Sequence, residues 1–286
     1  MKPVILGVAG GTLAAAERAL LLAHRPRGVI LFARNIQSPA QLADLVGALR
    51  ETLPAGAVLM VDQEGGRVAR LRAPHWPELP PAGALRTPGE AFAQGRALGA
   101  MVRAAGFDVT AAPVLDLRLE GASAVIGDRA ITGDAERVAA LGGEIARGIL
   151  AEGVIPVMKH IPGHGRALVD SHLALPRVAH ADLTEDFLPF MRNRALPWAM
   201  TAHVIYEAID PEFPATVSRK VIVEIIRGRI GFQGTLISDD LAMHALSGTP
   251  GERALAALRA GCDIALYCPG DIAGNVAVLE AVADEP

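Results

Sequence analysis

The sequence predicts an α/β fold, a single-domain (β/α)8 TIM-type barrel that occupies residues 1–286. Short apolar runs alternate with amphipathic stretches eight times along the chain, which is the number of strand–helix units in such a barrel. The runs are apolar at consecutive positions, as in parallel strands that are buried on both faces. A chain of 286 residues that is 51% hydrophobic is also large enough to bury this core.

The first half of the chain supplies four of the predicted units. Its apolar runs and helices are VILGVA before a helix at 12–24, GVILFARN before SPAQLADLVGALRE, AVLMVDQE before a helix near 89–105, and FDVTAAPVLD before GDAERVAALGGEIARGILAEG. In the second unit Ser38 is the predicted N-cap, with Pro39 at the first helical position. The fourth helix is predicted to end at a glycine, because glycine tolerates the backbone conformation that follows a helix.

The second half supplies the other four units. They are VIPVMKH before a helix near 184–192, WAMTAHVIY before SRKVIVEIIRGRIG, GTLISDD before GERALAALRAG, and CDIALYC before a helix near 271–282. A doubly wound open sheet is the alternative fold. The early turn GVAGGT lacks the complete G-x-G-x-x-G fingerprint of the dinucleotide-binding version of that sheet, so we favour the barrel.

Charge and hydropathy exclude several classes of protein. The net charge of −4, with Lys and Arg scattered along the chain, predicts no nucleic-acid partner. No run reaches the roughly 18 uninterrupted apolar residues of a membrane span, and glycines and charges interrupt the signal-like N-terminus, which we interpret as a buried strand and helix. Cys262 and Cys268 flank one apolar run and are too far apart along a strand to bridge. We therefore expect a cytoplasmic protein.

Polar residues follow many of the apolar runs. In a barrel the chemistry sits at the carboxyl ends of the strands, so these residues are candidates for a site. They are Arg34-Asn35, the segment DQEGGR, Asp116, Lys159-His160, His203 and Asp239-Asp240.

The segment KHIPGHGRALVDSH, at positions 159–172, combines with an acid on strand 7 to suggest glycoside hydrolysis. That reaction needs one group at the anomeric carbon and another that protonates the leaving oxygen. Asp170 and His172 are two residues apart, so in an extended loop the carboxylate can orient the imidazole. Strand periodicity does not choose between Asp239 and Asp240. Zinc ligation by the same histidines, in a metal-dependent barrel hydrolase, is the alternative chemistry.

Five segments taken together resemble a known family. VDQEGGRVARLR, KHIPGHG, DSH, AHVIY and ISDDLAM resemble glycoside hydrolase family 3, specifically its single-domain bacterial β-N-acetylhexosaminidases of the NagZ type, over roughly residues 4–268. The resemblance implies the same barrel and a retaining mechanism through a covalent glycosyl-enzyme. We expect no cofactor, no metal and a monomer.

The resemblance also implies roles for individual residues. Asp239 is the implied nucleophile, and His172 is the implied proton donor and base, with Asp170 as its orienting partner. The implied binding residues for the non-reducing N-acetylglucosamine are Asp62, Arg70, Arg129, Lys159 and His160. We expect Asp240 to be structural, and Glu64, His164 and His203 to shape the loops.

The implied reaction is removal of N-acetylglucosamine from N-acetylglucosaminyl-1,6-anhydro-N-acetylmuramic acid and its peptides during peptidoglycan recycling. The chain has only two Trp and two Tyr residues, which favours a short exo-acting pocket over a long aromatic cleft. A β-N-acetylglucosaminide phosphorylase is an alternative, because a neutral histidine leaves room for an anionic phosphate acceptor. A sugar-binding protein without catalysis is another.

Overall fold

The computed structural model describes residues 1–169, 175–179 and 182–282, and its main feature is a barrel of parallel strands. The strands are β1 Lys2–Gly7, β2 Pro26–Leu31, β3 Val58–Val61, β4 Val109–Thr110, β5 Ile155–Ile161, β6 Arg177–Val178, β7 Trp198–Thr201, β8 Ile205–Tyr206, β9 Thr235–Ile237 and β10 Ala265–Tyr267. Eight of them form one sheet in the order β10-β1-β2-β3-β4-β5-β7-β9. A parallel bridge between Ile237 and Ile264 connects its two ends. The predicted (β/α)8 barrel is therefore confirmed.

Helices follow the barrel strands as the sequence predicts. They are α1 Ala15–His24, α2 Pro39–Thr52, α3 Pro88–Ala104, α4 Ala135–Ala151, α5 Thr184–Arg192, α6 Pro250–Ala260 and α7 Ile272–Ala281. The predicted N-cap is confirmed, because the Ser38 hydroxyl accepts a hydrogen bond from the Gln41 amide at 3.2 Å. Just beyond α4, Gly153 takes a left-handed conformation with φ of 75°.

The sixth unit differs from the prediction in two ways. WAMTAHVIY is not one strand, because the chain leaves the barrel after Thr201 and pairs again only at β8, which forms a separate two-stranded ladder with β6. The helix that follows, Val221–Arg229, is a π-helix, and beyond it the Ile230 amide still bonds to the Ile225 carbonyl at 2.7 Å. Apolar periodicity indicated both elements but could not indicate their hydrogen-bond pattern.

Two apolar layers hold the fold together. One fills the barrel interior, with Met60, Val157 and Ile237 among its members, and the other lies between the barrel and the helices. Helices α3 and α4 pack closely in the outer layer: a Cβ on Gly95 would lie 2.1 Å from the Ile145 carbonyl oxygen. That separation is too short for any side chain, so glycine is required there.

Two further observations bear on the class of protein. Within the described residues, no helix is long and apolar enough to cross a membrane. Cys262 and Cys268 are both buried and free of disulfides.

Candidate active site

A pocket opens at the carboxyl ends of the barrel strands, where the chemistry of such barrels is found. The empty space in and in front of it, including its open mouth, is about 680 Å³. Apolar side chains from the barrel interior, including Ile30 and Leu266, form part of the lining. Six of the eight predicted site residues also line it: Asp62, Arg70, Arg129, Lys159, His160 and Asp239.

A network of two carboxylates and three cations lies along one side of this pocket, and four of its five members line it. Asp62 accepts from Arg70 Nη2 at 2.7 Å and from Lys159 Nζ at 2.8 Å. Lys159 also contacts Glu64, and Glu64 accepts two hydrogen bonds from Arg129, at 2.9 Å from Nε and 2.8 Å from Nη2. Such a bidentate pair fixes the plane of the guanidinium group. Glu64 therefore connects two of the predicted sugar-binding cations.

The cations keep both carboxylates ionised. Burial would raise the pKa of Asp62, but Lys159, Arg70 and Arg129 outweigh it and hold that pKa well below its usual range. Burial opposes ionisation of Glu64 in the same way, and Lys159 and Arg129 lower its pKa. The network therefore offers the pocket both hydrogen-bond acceptors and fixed positive donors.

Asp116 is a fully buried carboxylate behind His160 and His164. One of its oxygens lies 2.6 Å from His160 Nδ1, and the other accepts the His164 amide at 2.7 Å. An ionised carboxylate only accepts, so His160 Nδ1 carries the hydrogen and Nε2 is the nitrogen left for other contacts. Burial would raise the pKa of Asp116, but His160 and His164 lower it to about 2. Burial and His160 lower the pKa of His164 to about 4.

The pKa of Asp116 predicts a specific acid sensitivity. A carboxyl group whose folded pKa is about 2, against an ordinary 3.8, stabilises the fold above pH 4. That contribution, about 2 kcal/mol, is lost as the pH falls from about 4 towards 2. We expect the free energy of unfolding of Asp116→Asn to decline less steeply over this window than that of the unsubstituted protein, as measured by urea unfolding at a series of pH values.

The matched control for this measurement is Asp44→Asn, which removes an exposed carboxyl group of α2. Its pH profile should run parallel to that of the unsubstituted protein. A parallel profile for Asp116→Asn as well would contradict the prediction.

Asp239 and Asp240 follow β9 and have different surroundings. The Asp239 Oδ1 atom accepts only the neighbouring Asp240 amide, at 2.8 Å, among the hydrogen bonds of the described residues. Asp240 Oδ1 accepts the amides of Ala242 and Cys268 at 3.0 and 3.1 Å, so this side chain connects the loop to the end of β10. Burial favours the neutral form of both, but His203 and His160 lower the pKa of Asp239, whereas the pKa of Asp240 is raised.

Two predicted catalytic residues, Asp170 and His172, lie outside the described residues. Their roles stay predictions. Among residues 1–169, 175–179 and 182–282, no group of three or more His, Cys, Asp or Glu side chains is placed to hold a metal ion.

Two residues of the site, Glu64 and Asp116, have no direct role assigned to them in the sequence analysis. Glu64 lies in the same segment as Asp62 and pairs with Arg129 across 65 positions of sequence. Asp116 stands at the end of its predicted strand, and its contact with His160 spans 44 positions. The strand-end position was a usable signal for both, but the partners depend on how β3, β4 and β5 lie side by side.

The chain is similar in sequence and structure to known proteins over nearly its whole length. Residues 4–285 match the family described as "Glycosyl hydrolase family 3 N terminal domain". The chain belongs to glycosyl hydrolase family 3. It is therefore a glycoside hydrolase, and the resemblance that the sequence motifs indicated is confirmed.

Curated relatives of the family 3 chain are named Beta-hexosaminidase. The protein from Alkalilimnicola ehrlichii is 44% identical over 94% of the chain and 81% of its own length. The one from Pseudomonas aeruginosa is 43% identical over 93% of the chain and 82% of its own length. These are names of hydrolases and lend no support to the phosphorylase alternative.

Solved structures agree with the family 3 assignment. NagZ from Neisseria gonorrhoeae in complex with N-trifluoroacetyl-D-glucosamine is 33% identical, with a TM-score of 0.89 over 99% of the chain and 86% of that protein. A family 3 β-N-acetylglucosaminidase from Paenibacillus is 35% identical, with a TM-score of 0.92 over 98% of the chain. The chain spans only 56% of the length of that enzyme.

Proposed function

We propose that the protein is a retaining exo-β-N-acetylglucosaminidase in which residues 1–286 form one catalytic domain. It removes the non-reducing N-acetylglucosamine from muropeptide fragments such as N-acetylglucosaminyl-1,6-anhydro-N-acetylmuramic acid in cytoplasmic peptidoglycan recycling. One observation carries the proposal: the Asp239 carboxylate, with its lowered pKa, lines the same pocket as the fixed cations and acceptors around Asp62. The names of the relatives support the hexosaminide as the substrate class.

In the proposed mechanism, Asp239 attacks the anomeric carbon and forms a glycosyl-enzyme. An ionised carboxylate is the form that can do so. His172, oriented by Asp170, donates a proton to the leaving oxygen and then takes one from the attacking water. This exchange of roles is what a retaining double displacement requires.

Sugar recognition uses the five predicted binding residues. Asp62 accepts from ring hydroxyls, and Lys159 and Arg129 donate to them from positions fixed by Glu64. Arg70 Nε is buried and has no acceptor among the described residues, so a sugar oxygen would satisfy it. The bond from His160 Nδ1 to Asp116 leaves Nε2 to hydrogen-bond with a hydroxyl. All of these interactions suit a neutral ring rich in hydroxyl groups.

The pocket supports a small substrate without an added cofactor. Its described lining contains Phe32 but no Tyr or Trp, which favours one or a few sugar units over a long polysaccharide. Nothing in the proposed double displacement needs a metal or an organic cofactor. We propose that the enzyme acts as a monomer on small carbohydrates.

The test is hydrolysis of p-nitrophenyl N-acetyl-β-D-glucosaminide, with and without EDTA, followed by trapping with a slow 5-fluoro glycosyl analogue and mass spectrometry. We expect EDTA-resistant release of nitrophenol and a sugar adduct on the peptide that contains Asp239. Turnover lost to EDTA would favour the metal-dependent alternative, and binding without turnover would favour a sugar-binding protein. Free sugar rather than sugar 1-phosphate in phosphate buffer would exclude the phosphorylase.

The natural substrate requires a separate comparison. We expect kcat/KM to be higher for the anhydromuramic disaccharide than for N,N′-diacetylchitobiose, measured by release of N-acetylglucosamine. Equal values would leave the hexosaminidase intact but contradict the role in recycling.

A further inference from the structure

Three buried side chains form a hydrogen-bonded chain that begins at the backbone of Asp239 and ends at the backbone of Asp240. The Asp239 amide donates to Thr201 Oγ1 at 3.2 Å, and Thr201 Oγ1 lies 2.8 Å from Thr216 Oγ1. Thr216 Oγ1 lies 2.7 Å from His203 Nδ1, and His203 Nε2 lies 2.9 Å from the Asp240 carbonyl oxygen. We call Thr201, Thr216 and His203 the threonine–histidine clamp.

The clamp brings together three separate parts of the chain. Thr201 ends β7, His203 lies in the link between β7 and β8, and Thr216 lies in the short 3-10 turn Ala215–Val217. All three residues have a relative exposure of 0%. Polar groups buried so completely destabilise the fold unless they are hydrogen-bonded. We therefore expect the hydrogen bonds of the clamp to persist in the folded protein.

The direction of most of these hydrogen bonds follows from whether the group at each end can donate or accept a hydrogen. An amide only donates, so Thr201 Oγ1 accepts from Asp239 and has its own hydrogen left for Thr216. A carbonyl only accepts, so His203 Nε2 carries a hydrogen and donates it to Asp240. The Thr216 hydroxyl then donates to Nδ1 when the imidazole is neutral. When the imidazole is charged, Thr216 accepts from Nδ1 and donates instead to the Ala202 carbonyl, which lies 3.2 Å away. Both charge states leave every clamp group bonded.

We infer that the threonine–histidine clamp positions the nucleophile by holding the Asp239–Asp240 peptide segment from both sides. This inference rests on the proposed function, in which Asp239 attacks the sugar. Thr201, Thr216 and His203 are positioning residues, because their described hydrogen bonds reach Asp239 only through main-chain atoms.

The Asp239 side chain depends on such support. Its carboxylate accepts only the amide of the next residue among the described hydrogen bonds, so its location follows the local backbone. A reacting group must lie within about 3.5 Å of its target, and a displacement of about 1 Å can reduce the rate about 100-fold. Loosening the clamp should therefore slow the chemical step more than it weakens sugar binding.

The test uses paired variants of one position. Thr201→Val keeps the shape of the side chain and removes the hydroxyl, whereas Thr201→Ser keeps the hydroxyl and removes a methyl group from the core. We expect Thr201→Val to lower kcat on p-nitrophenyl N-acetyl-β-D-glucosaminide by about 10- to 100-fold with little change in KM. Thr201→Ser should retain most of kcat. Thermal unfolding of both variants reports the effect on packing.

A role in packing alone predicts the opposite order. Thr201→Ser would then be the more damaging change, because it leaves a cavity, and kcat would follow thermal stability. That order, or an unchanged kcat in Thr201→Val, would overturn the inference. The pair Thr216→Val and Thr216→Ser provides an independent repeat on the second hydroxyl.

A second measurement does not depend on turnover. Nitrogen-15 NMR of the imidazole groups should show a protonated, slowly exchanging Nε2–H for His203, assigned by its loss in His203→Gln. An unprotonated Nε2 would contradict the hydrogen bond from His203 to Asp240, and with it the inference, whether or not the enzyme hydrolyses the substrate. If the protonated signal is present but p-nitrophenyl N-acetyl-β-D-glucosaminide is not hydrolysed, the proposed function fails while the hydrogen-bond chain of the clamp stands.

Discussion

Replacing Asp239 by asparagine or alanine is expected to lower kcat by about 10⁴-fold or more, as removal of a nucleophile does in other enzymes that use covalent intermediates. The physical reason is that the adjacent carboxylate cannot take its place, because Asp240 is held by the amides of Ala242 and Cys268. The fold should persist, because the Asp239 carboxylate accepts only one described hydrogen bond, which an asparagine oxygen can also accept.

Azide rescue makes this experiment specific to a nucleophile. In Asp239→Ala, a small anion can enter the space that the carboxylate leaves and attack an activated substrate directly. The expected product is the α-glycosyl azide, identified by NMR. Asp240→Asn is the matched control: it should lose far less turnover and gain nothing from azide. Azide rescue of the Asp240 variant instead would move the nucleophile to Asp240, and substantial activity without rescue in Asp239→Ala would contradict double displacement.

Replacing His172 by alanine is expected to produce a loss that depends on the leaving group. A general acid contributes about 10²- to 10⁴-fold to a step that needs protonation. The loss in kcat/KM should approach that size for the disaccharide substrate and be small for a dinitrophenyl glycoside, whose leaving group departs without a proton. Measurement of kcat/KM, rather than kcat, isolates the glycosylation step.

His160→Ala is the control for this prediction. His160 has a carboxylate partner within the described part of the chain, Asp116 at 2.6 Å, and it lines the same pocket. If it only binds the sugar, its removal should lower kcat/KM equally for both leaving groups. A strong dependence on the leaving group in His160→Ala, with none in His172→Ala, would transfer the role of proton donor to the Asp116–His160 pair.

Much of the fold could be predicted because its signals are local. Continuous apolar runs indicated the eight barrel strands, and Ser38 and Pro39 indicated the start of α2. The motif segments around Asp62, Lys159 and Asp239 indicated the family, which the match over residues 4–285 confirms. Each of these signals is contained in a short stretch of sequence.

The sequence by itself determined the barrel, the family and the strand ends at which the candidate residues stand. Only the tertiary structure decided which of these residues meet. Glu64 joins Arg129 to Lys159, and Thr216 joins Thr201 to His203, although nothing in the segment PATVS distinguishes its threonine from an ordinary loop residue. The physical reason is that periodicity and caps arise from neighbours along the chain, whereas hydrogen-bond partners across the barrel arise from how distant strand ends and loops are brought side by side.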